Sequence, residues 1–174
     1  MRTIIGFCGP IGCGKSTAAQ TLVQDLGFYR LRFADPLKQM LMTIGCGYEE
    51  VDGFLKETTS RTLMYKTPRY AMQTLGTEWG RNCMGEDFWV YLWKHKAMDY
   101  GTANIVVDDV RFSNEVDAIH TLGGRVIKIE REMARPAIDH TSETQRLIHD
   151  SVLWNNLSKE EFINAVRAYA RAIQ

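Results

Sequence analysis

The sequence has no long apolar run. Its longest, Phe88 to Trp93, is six residues, too short to cross a bilayer. Charge of either sign is not in excess: 21 Lys plus Arg face 21 Asp plus Glu, and the pI is near 6.9. No overall field therefore draws the chain to nucleic acid or to a membrane surface, and an anionic ligand must be caught by a local cluster. The four cysteines, Cys8, Cys13, Cys46 and Cys83, match neither C-x-x-C nor a zinc framework, which argues against disulfides and a structural metal. None of the four histidines pairs by spacing with a second ligand or a nucleophile. Internal repeats and low-complexity tracts are absent. The N-terminus runs straight into a strand-like segment without a signal-peptide pattern, so the expectation is a soluble, cytoplasmic protein.

What is present reads as one ordinary domain. The chain has 174 residues, with 45% apolar and 24% charged, close to the globular average. Thr3 to Cys8 is a short apolar run, and after a glycine-rich loop Ala18, Ala19, Leu22, Val23 and Leu26 fall at helical spacing until Gly27. Phe28 to Ala34 reads as a second strand. Asp35-Pro36 opens a helix that Gly45 stops, residues 46 to 66 form an irregular insert, and Thr67-Pro68 opens another helix at its cap and first position. Phe88 to Trp93 is a bulky helix whose aromatic side chains read as core. Ile105 to Asp109 is a buried strand ending in two acids, Ser113 caps the next helix, Arg125 to Ile129 is a fourth strand and Val152 to Trp154 a short fifth. Ser158 to Glu161 is a capping box ahead of an amphipathic C-terminal helix bearing Phe162, Val166, Tyr169, Ala170 and Ile173. Apolar strands alternating with helices predict an α/β fold, a parallel sheet covered on both faces.

Gly9-Pro10-Ile11-Gly12-Cys13-Gly14-Lys15-Ser16 matches G-x-x-x-x-G-K-[ST] between a strand and a helix start. Glycines there let backbone N–H groups converge on a polyphosphate. The helix dipole adds positive potential, Lys15 reaches the β- and γ-phosphates, and Ser16 ligates Mg²⁺. Gly9, Gly12, Cys13, Gly14, Lys15, Ser16 and Thr17 are thus the candidate ATP site. Cys13 reads as a small loop residue rather than a nucleophile, since no His is nearby in sequence.

The acids ending the third strand would lie on the carboxyl edge of a doubly wound sheet, where ligands bind. Strand side chains alternate in direction, so one of them faces the magnesium. Asp109 is favoured for the Mg²⁺ water shell and Asp108 is the alternative, while the competing reading is that either acid simply caps the following turn. Arginine outnumbers lysine 13 to eight, and a guanidinium grips phosphate oxygens in two places. Arg69 and Gln73 are one helical turn apart, suited to a phosphate and a base edge. Arg81 follows the Gly76 to Gly80 stretch, and Arg111 lies just past the acidic strand end. Arg131 and Arg135 follow the fourth strand, where a mobile lid would close over the transferred phosphoryl group, with His140 in the same region. Trp79, Tyr70 and Met72 either shape a base pocket or belong to the core. Asn155 and its neighbours stand by position as a contact for the adenine.

These blocks together carry a resemblance. Phe33-Ala34-Asp35-Pro36-Leu37-Lys38, Pro68-Arg69 through Gln73-Thr74-Leu75-Gly76-Thr77-Glu78-Trp79-Gly80-Arg81, Asp109-Val110-Arg111-Phe112-Ser113-Asn114-Glu115 and His140-Thr141-Ser142-Glu143 resemble the bacteriophage deoxynucleoside monophosphate kinases. With the glycine loop, the similarity spans nearly the whole chain. It implies a three-layer P-loop NTPase fold with five parallel strands in the order 2-3-1-4-5 and a short lid. It also implies one kinase domain over residues 1–174, with a monophosphate-binding helical region at 35–100 and a lid-like segment at 131–146. The implied reaction is transfer of the ATP γ-phosphoryl group to a dNMP, with ATP and Mg²⁺ as donor and cofactor. Under the same resemblance Asp35, Arg69, Gln73, Arg81 and Arg111 line the acceptor site, and Arg131 and Arg135 are lid arginines. The long zinc-bearing lid of larger monophosphate kinases is missing. The expected partner is a dNMP, with no nucleic-acid polymer, no membrane and a homodimer left open. Two competing readings are a P-loop kinase for dephospho-coenzyme A or a phosphorylated alcohol, and a nucleotide-binding switch.

Overall fold

A computed structural model describes residues 2–132 and 147–174. The chain divides into two compact units, Met1–Phe33 with Trp93–Gln174, and Ala34–Leu92.

The first unit holds the sheet. Its strands are β1 (Ile4–Cys8), β2 (Tyr29–Arg30), β3 (Ile105–Val107), β4 (Arg125–Glu130) and β5 (Ser151–Trp154), all parallel in the order β2-β3-β1-β4-β5. The expected order holds, and the central strand β1 is buried throughout, as a strand covered on both faces must be. On one face, Ile5, Phe7, Ile127 and Ile129 pack against α1 (Lys15–Leu26) and the C-terminal helix α7 (Lys159–Ala172), through Ala18, Ala19, Leu22, Phe162, Val166 and Ala170. On the other face lies α6 (Ser113–Thr121). A Cβ on Gly6 of β1 would stand 2.6 Å from Ile119 Cδ1, so the absence of a side chain is what lets this helix approach the sheet.

β2 is shorter than the predicted run from Phe28 to Ala34. Past Leu31 the backbone's polar groups leave the ladder for side chains: Trp93 Nε1 donates to the Leu31 carbonyl at 3.0 Å, and the Phe33 N–H donates to Asp109 Oδ1 at 3.1 Å. α7 starts as predicted, with the Ser158 hydroxyl accepting from the Glu161 N–H and Glu161 returning to the Ser158 N–H. At α6 the cap differs from expectation. Ser113 is already helical, and the buried Glu115 carboxylate accepts the N–H groups of Arg111 and Phe112 at 2.7 and 3.1 Å.

The second unit is helical. α2 (Asp35–Thr43) ends before Gly45 in the left-handed region, and the predicted irregular insert contains α3 (Tyr48–Val51) and a single 3₁₀ turn, Phe54–Glu57. α4 (Pro68–Gln73) starts at the predicted cap, with the Thr67 hydroxyl accepting from Tyr70 N–H. It then widens into an unpredicted π-helical stretch, Thr74–Met84. Along this stretch Trp89 Nε1 donates to the Gly76 carbonyl at 2.7 Å, and the Trp89 ring fills the space where a Cβ on Gly80 would be. α5 (Phe88–Asp99) carries residues of both units, and its Trp89, Val90 and Trp93 are buried as expected.

Candidate nucleotide site

The glycine loop leaves β1 at Gly9, whose φ of 136° and close approach to the Ile129 carbonyl, 2.3 Å from a built Cβ, admit no side chain. The Cys13 N–H donates to the Pro10 carbonyl at 3.3 Å and closes the turn. Gly14, also at positive φ, precedes Lys15, the first residue of α1. Among the described residues no side chain caps this helix, and its first turn has no acid, so its leading N–H groups keep their capacity for an anion. Lys15 Nζ donates to the Gly9 and Pro10 carbonyls at 2.6 and 2.8 Å, placing the ammonium over the loop itself. Ser16 is exposed at the first helical turn and Thr17 is half-buried.

Cys13 is fully buried among core side chains, and burial pushes its thiol up despite the neighbouring Lys15 ammonium. Burial likewise pushes the Cys8 thiol up to about 11. Both are neutral packing residues at neutral pH, as the loop reading of Cys13 expects.

The two acids after β3 are separated by their partners. Asp108 is buried and takes both Nε and Nη2 of Arg30, at 2.9 Å for the first. Asp109 is half-buried, with Oδ1 on the Phe33 N–H. Arg111 is half-buried, two residues farther on. Arg131 is exposed after β4 and shares a hollow of about 190 Å³ with Pro10 of the loop, Lys128, Glu130, Glu132 and Trp154. Arg135 and His140 lie outside the described residues, as does the lid-like segment 131–146 from residue 133 onward.

In the helical unit, Asp35 is the first residue of α2. Arg69 stands in the first turn of α4 and Gln73 at its end, one turn apart. Arg69 Nε pairs with Glu57 Oε1 at 2.7 Å, an exposed pair. Arg81 lies in the π-helical stretch and its Nη1 donates to the Glu86 carbonyl at 3.1 Å. Of the three base-pocket candidates, Met72 packs against Leu41, Cys46 and Val51, Trp79 meets Phe88 edge to face, and Tyr70 is exposed beneath the Lys66 ammonium.

Sequence reasoning missed two supporting contacts. Arg30 has no local signal, because its partner is 78 residues away. Asn155, placed near an adenine by position alone, donates from Nδ2 to the Cys13 carbonyl at 2.8 Å. Among the described residues, no helix is long and apolar enough to cross a membrane.

Residues 46–166 match the family described as deoxynucleotide monophosphate kinase. That range excludes the glycine loop, so the match does not depend on the phosphate-binding motif. A protein of Acanthamoeba polyphaga mimivirus, provisionally named a deoxynucleotide monophosphate kinase, is 36% identical over 180 residues, covering 94% of this chain and 93% of its own length. Among solved structures, the APS kinase of Mycobacterium tuberculosis in complex with AMPPNP and APS superposes with a TM-score of 0.57 at 14% identity, covering 98% of each chain. TT1252 from Thermus thermophilus superposes with a TM-score of 0.56 at 18% identity, covering 99% of this chain and 98% of its own. At these identities the two structures speak for the fold alone.

Proposed function

Because the chain belongs to the deoxynucleotide monophosphate kinase family, we propose that it transfers the γ-phosphoryl group of ATP to a deoxynucleoside monophosphate, giving ADP and dNDP. The observation that carries this reading is the pairing of a family match outside the glycine loop with an acid-free helix start that directly follows the loop's left-handed Gly14. The first speaks for the acceptor and the second for a polyphosphate donor.

The donor's phosphates lie along the N–H groups of the glycine loop and the first turn of α1, and Lys15 exchanges the Gly9 and Pro10 carbonyls for the β- and γ-phosphates. Asp35, Arg69, Gln73, Arg81 and Arg111 line the dNMP site, where the arginines grip the phosphate through paired N–H donors. The acceptor oxygen needs little help from a base, since the second phosphate pKa is about 6 and the group is largely ionised at neutral pH. It bonds to the γ-phosphorus as the bond from that phosphorus to the bridging oxygen breaks, and the electron pair leaves with ADP. The obstacle is repulsion between two polyanions, which Lys15, Arg111, Arg131 and Arg135 relieve as charge spreads over the equatorial oxygens. The exposed Ser16 hydroxyl and the Asp109 carboxylate suit a hard cation, and Mg²⁺ held there would supply further charge neutralisation.

ADP release measured with each dNMP, each ribonucleotide and dephospho-coenzyme A tests the proposal. Stimulation by at least one dNMP is expected. Stimulation by dephospho-coenzyme A alone, or turnover indifferent to any acceptor, overturns it.

A further inference from the structure

The peptide between Cys13 and Gly14 has one polar group on each side. A trans peptide is planar, so its C=O and N–H point in opposite directions. The Cys13 carbonyl precedes α1 and is taken by a side chain instead: Asn155 Nδ2 donates to it at 2.8 Å. The fit is close, since a Cβ on Gly14 would stand 2.5 Å from that same Nδ2. Asn155 is itself held by its backbone. Its N–H donates to the Glu130 carbonyl at 2.8 Å, continuing the β4–β5 pairing by one residue, and the next side chain, Asn156, accepts the Glu132 N–H at 3.0 Å.

We infer that Asn155 is a positioning residue for the donor phosphates: by fixing the Cys13 carbonyl on the outer side of the loop, it aims the Gly14 N–H inward at the anion. Without that grip the peptide is able to turn, and a carbonyl dipole directed inward would oppose the phosphate where an N–H should meet it. The same turn ties the loop to the strand end that bears Arg131, so the donor cradle and that arginine share one anchor.

The inference rests on residues 9–16 being the donor site, and binding separates the two. Calorimetric titration with magnesium AMP-PNP, and separately with a dNMP, is carried out on the unaltered chain, Asn155→Ala and Asn155→Asp, with thermal midpoints for all three. Asn155→Ala is expected to weaken AMP-PNP binding about tenfold and to leave dNMP binding unchanged. Asn155→Asp, close in size but facing the carbonyl with an oxygen, is expected to weaken it more. A merely space-filling role predicts an Asp variant that binds as the unaltered chain does, and that result overturns the inference while leaving the proposed function standing. Equal losses for both ligands, following a lowered midpoint, overturn it as well. Failure of the unaltered chain to bind AMP-PNP overturns both.

Discussion

Arg30 and Asp108 lie side by side, with Nε donating to Oδ1 at 2.9 Å and Nη2 donating to Oδ2. The pair joins the end of β2 to the end of β3 and commits one of two adjacent acids to structure. Asp108 is 3% exposed at its side chain and Arg30 is 31% exposed, so the guanidinium keeps some water. Asp108→Asn should therefore lower unfolding stability by about 2 kcal/mol, below the full value for a wholly buried pair. Asp109→Asn should instead lower kcat and raise the magnesium requirement, with little change in stability. Urea unfolding beside a magnesium titration of the rate checks both, and an exchange of the two phenotypes would assign the metal role to Asp108.

Lys15 and Arg69 should fail differently. Lys15→Ala is expected to lower kcat about 10³-fold, because charge neutralisation at the γ-phosphate is lost. Arg69→Ala should raise the acceptor KM about tenfold and leave the ATP KM alone. Its exposed pair with Glu57 contributes about 0.5 kcal/mol at most, so the thermal midpoint should hardly move. Steady-state kinetics in both substrates separates the two, and an Arg69 effect confined to ATP removes that residue from the acceptor site.

Gly80 and Gly76 differ in what an alanine would meet. A Cβ at Gly80 stands 2.3 Å from Trp89 Nε1, whereas at Gly76 the nearest atom is Leu37 Cδ2 at 3.5 Å. Gly80→Ala is expected to cost about 2 kcal/mol by overpacking, and Gly76→Ala well under 1. Thermal unfolding and limited proteolysis of the 34–92 region report this, and equal tolerance at both positions contradicts the packing of Trp89 on the π-helical turn.

The thiols should divide by burial. Cys8, Cys13 and Cys46 are buried and burial pushes each thiol up, whereas Cys83 is exposed. At about pH 8 a thiol reagent should modify Cys83 quickly and the other three only after denaturant is added. Fast loss of a second thiol in the folded protein would contradict the buried loop cysteine.

Acid should destabilise the fold through three lowered carboxyls. At Glu50, hydrogen bonds from Ser60 and from the Gly47 N–H lower the pKa. At Asp150 burial acts to raise it and is outweighed by the Val126 N–H and His120. Glu161 is lowered by the Ser158 hydroxyl and N–H. A folded-state pKa below the unfolded value means that the stabilisation is complete above the ordinary carboxylate range. It is lost as pH falls through the lowered folded values, from about pH 4 downward. Urea midpoints across that range should fall, and Asp150→Asn should fall less steeply; a pH-independent midpoint contradicts the assignment.

The local chemistry of the chain determined much of this protein. Glycines at positions 9, 12 and 14 between an apolar strand and a helix start specify a phosphate loop, because only they accept its positive φ. Thr67-Pro68 and Ser158 to Glu161 specify helix starts through hydrogen bonds a few residues long. Helical and strand periodicities likewise predict the alternating elements, and the apolar strands predict a parallel sheet. Tertiary structure alone decided which acid after β3 is committed to an ion pair, since Arg30 lies 78 residues from Asp108. It also decided that β2 is short, that α4 widens over Trp89, and that Asn155 donates to the loop 142 residues before it. Hydrogen bonds over such separations leave no period and no local motif in the chain. They exist only once the sheet has brought its strand ends together.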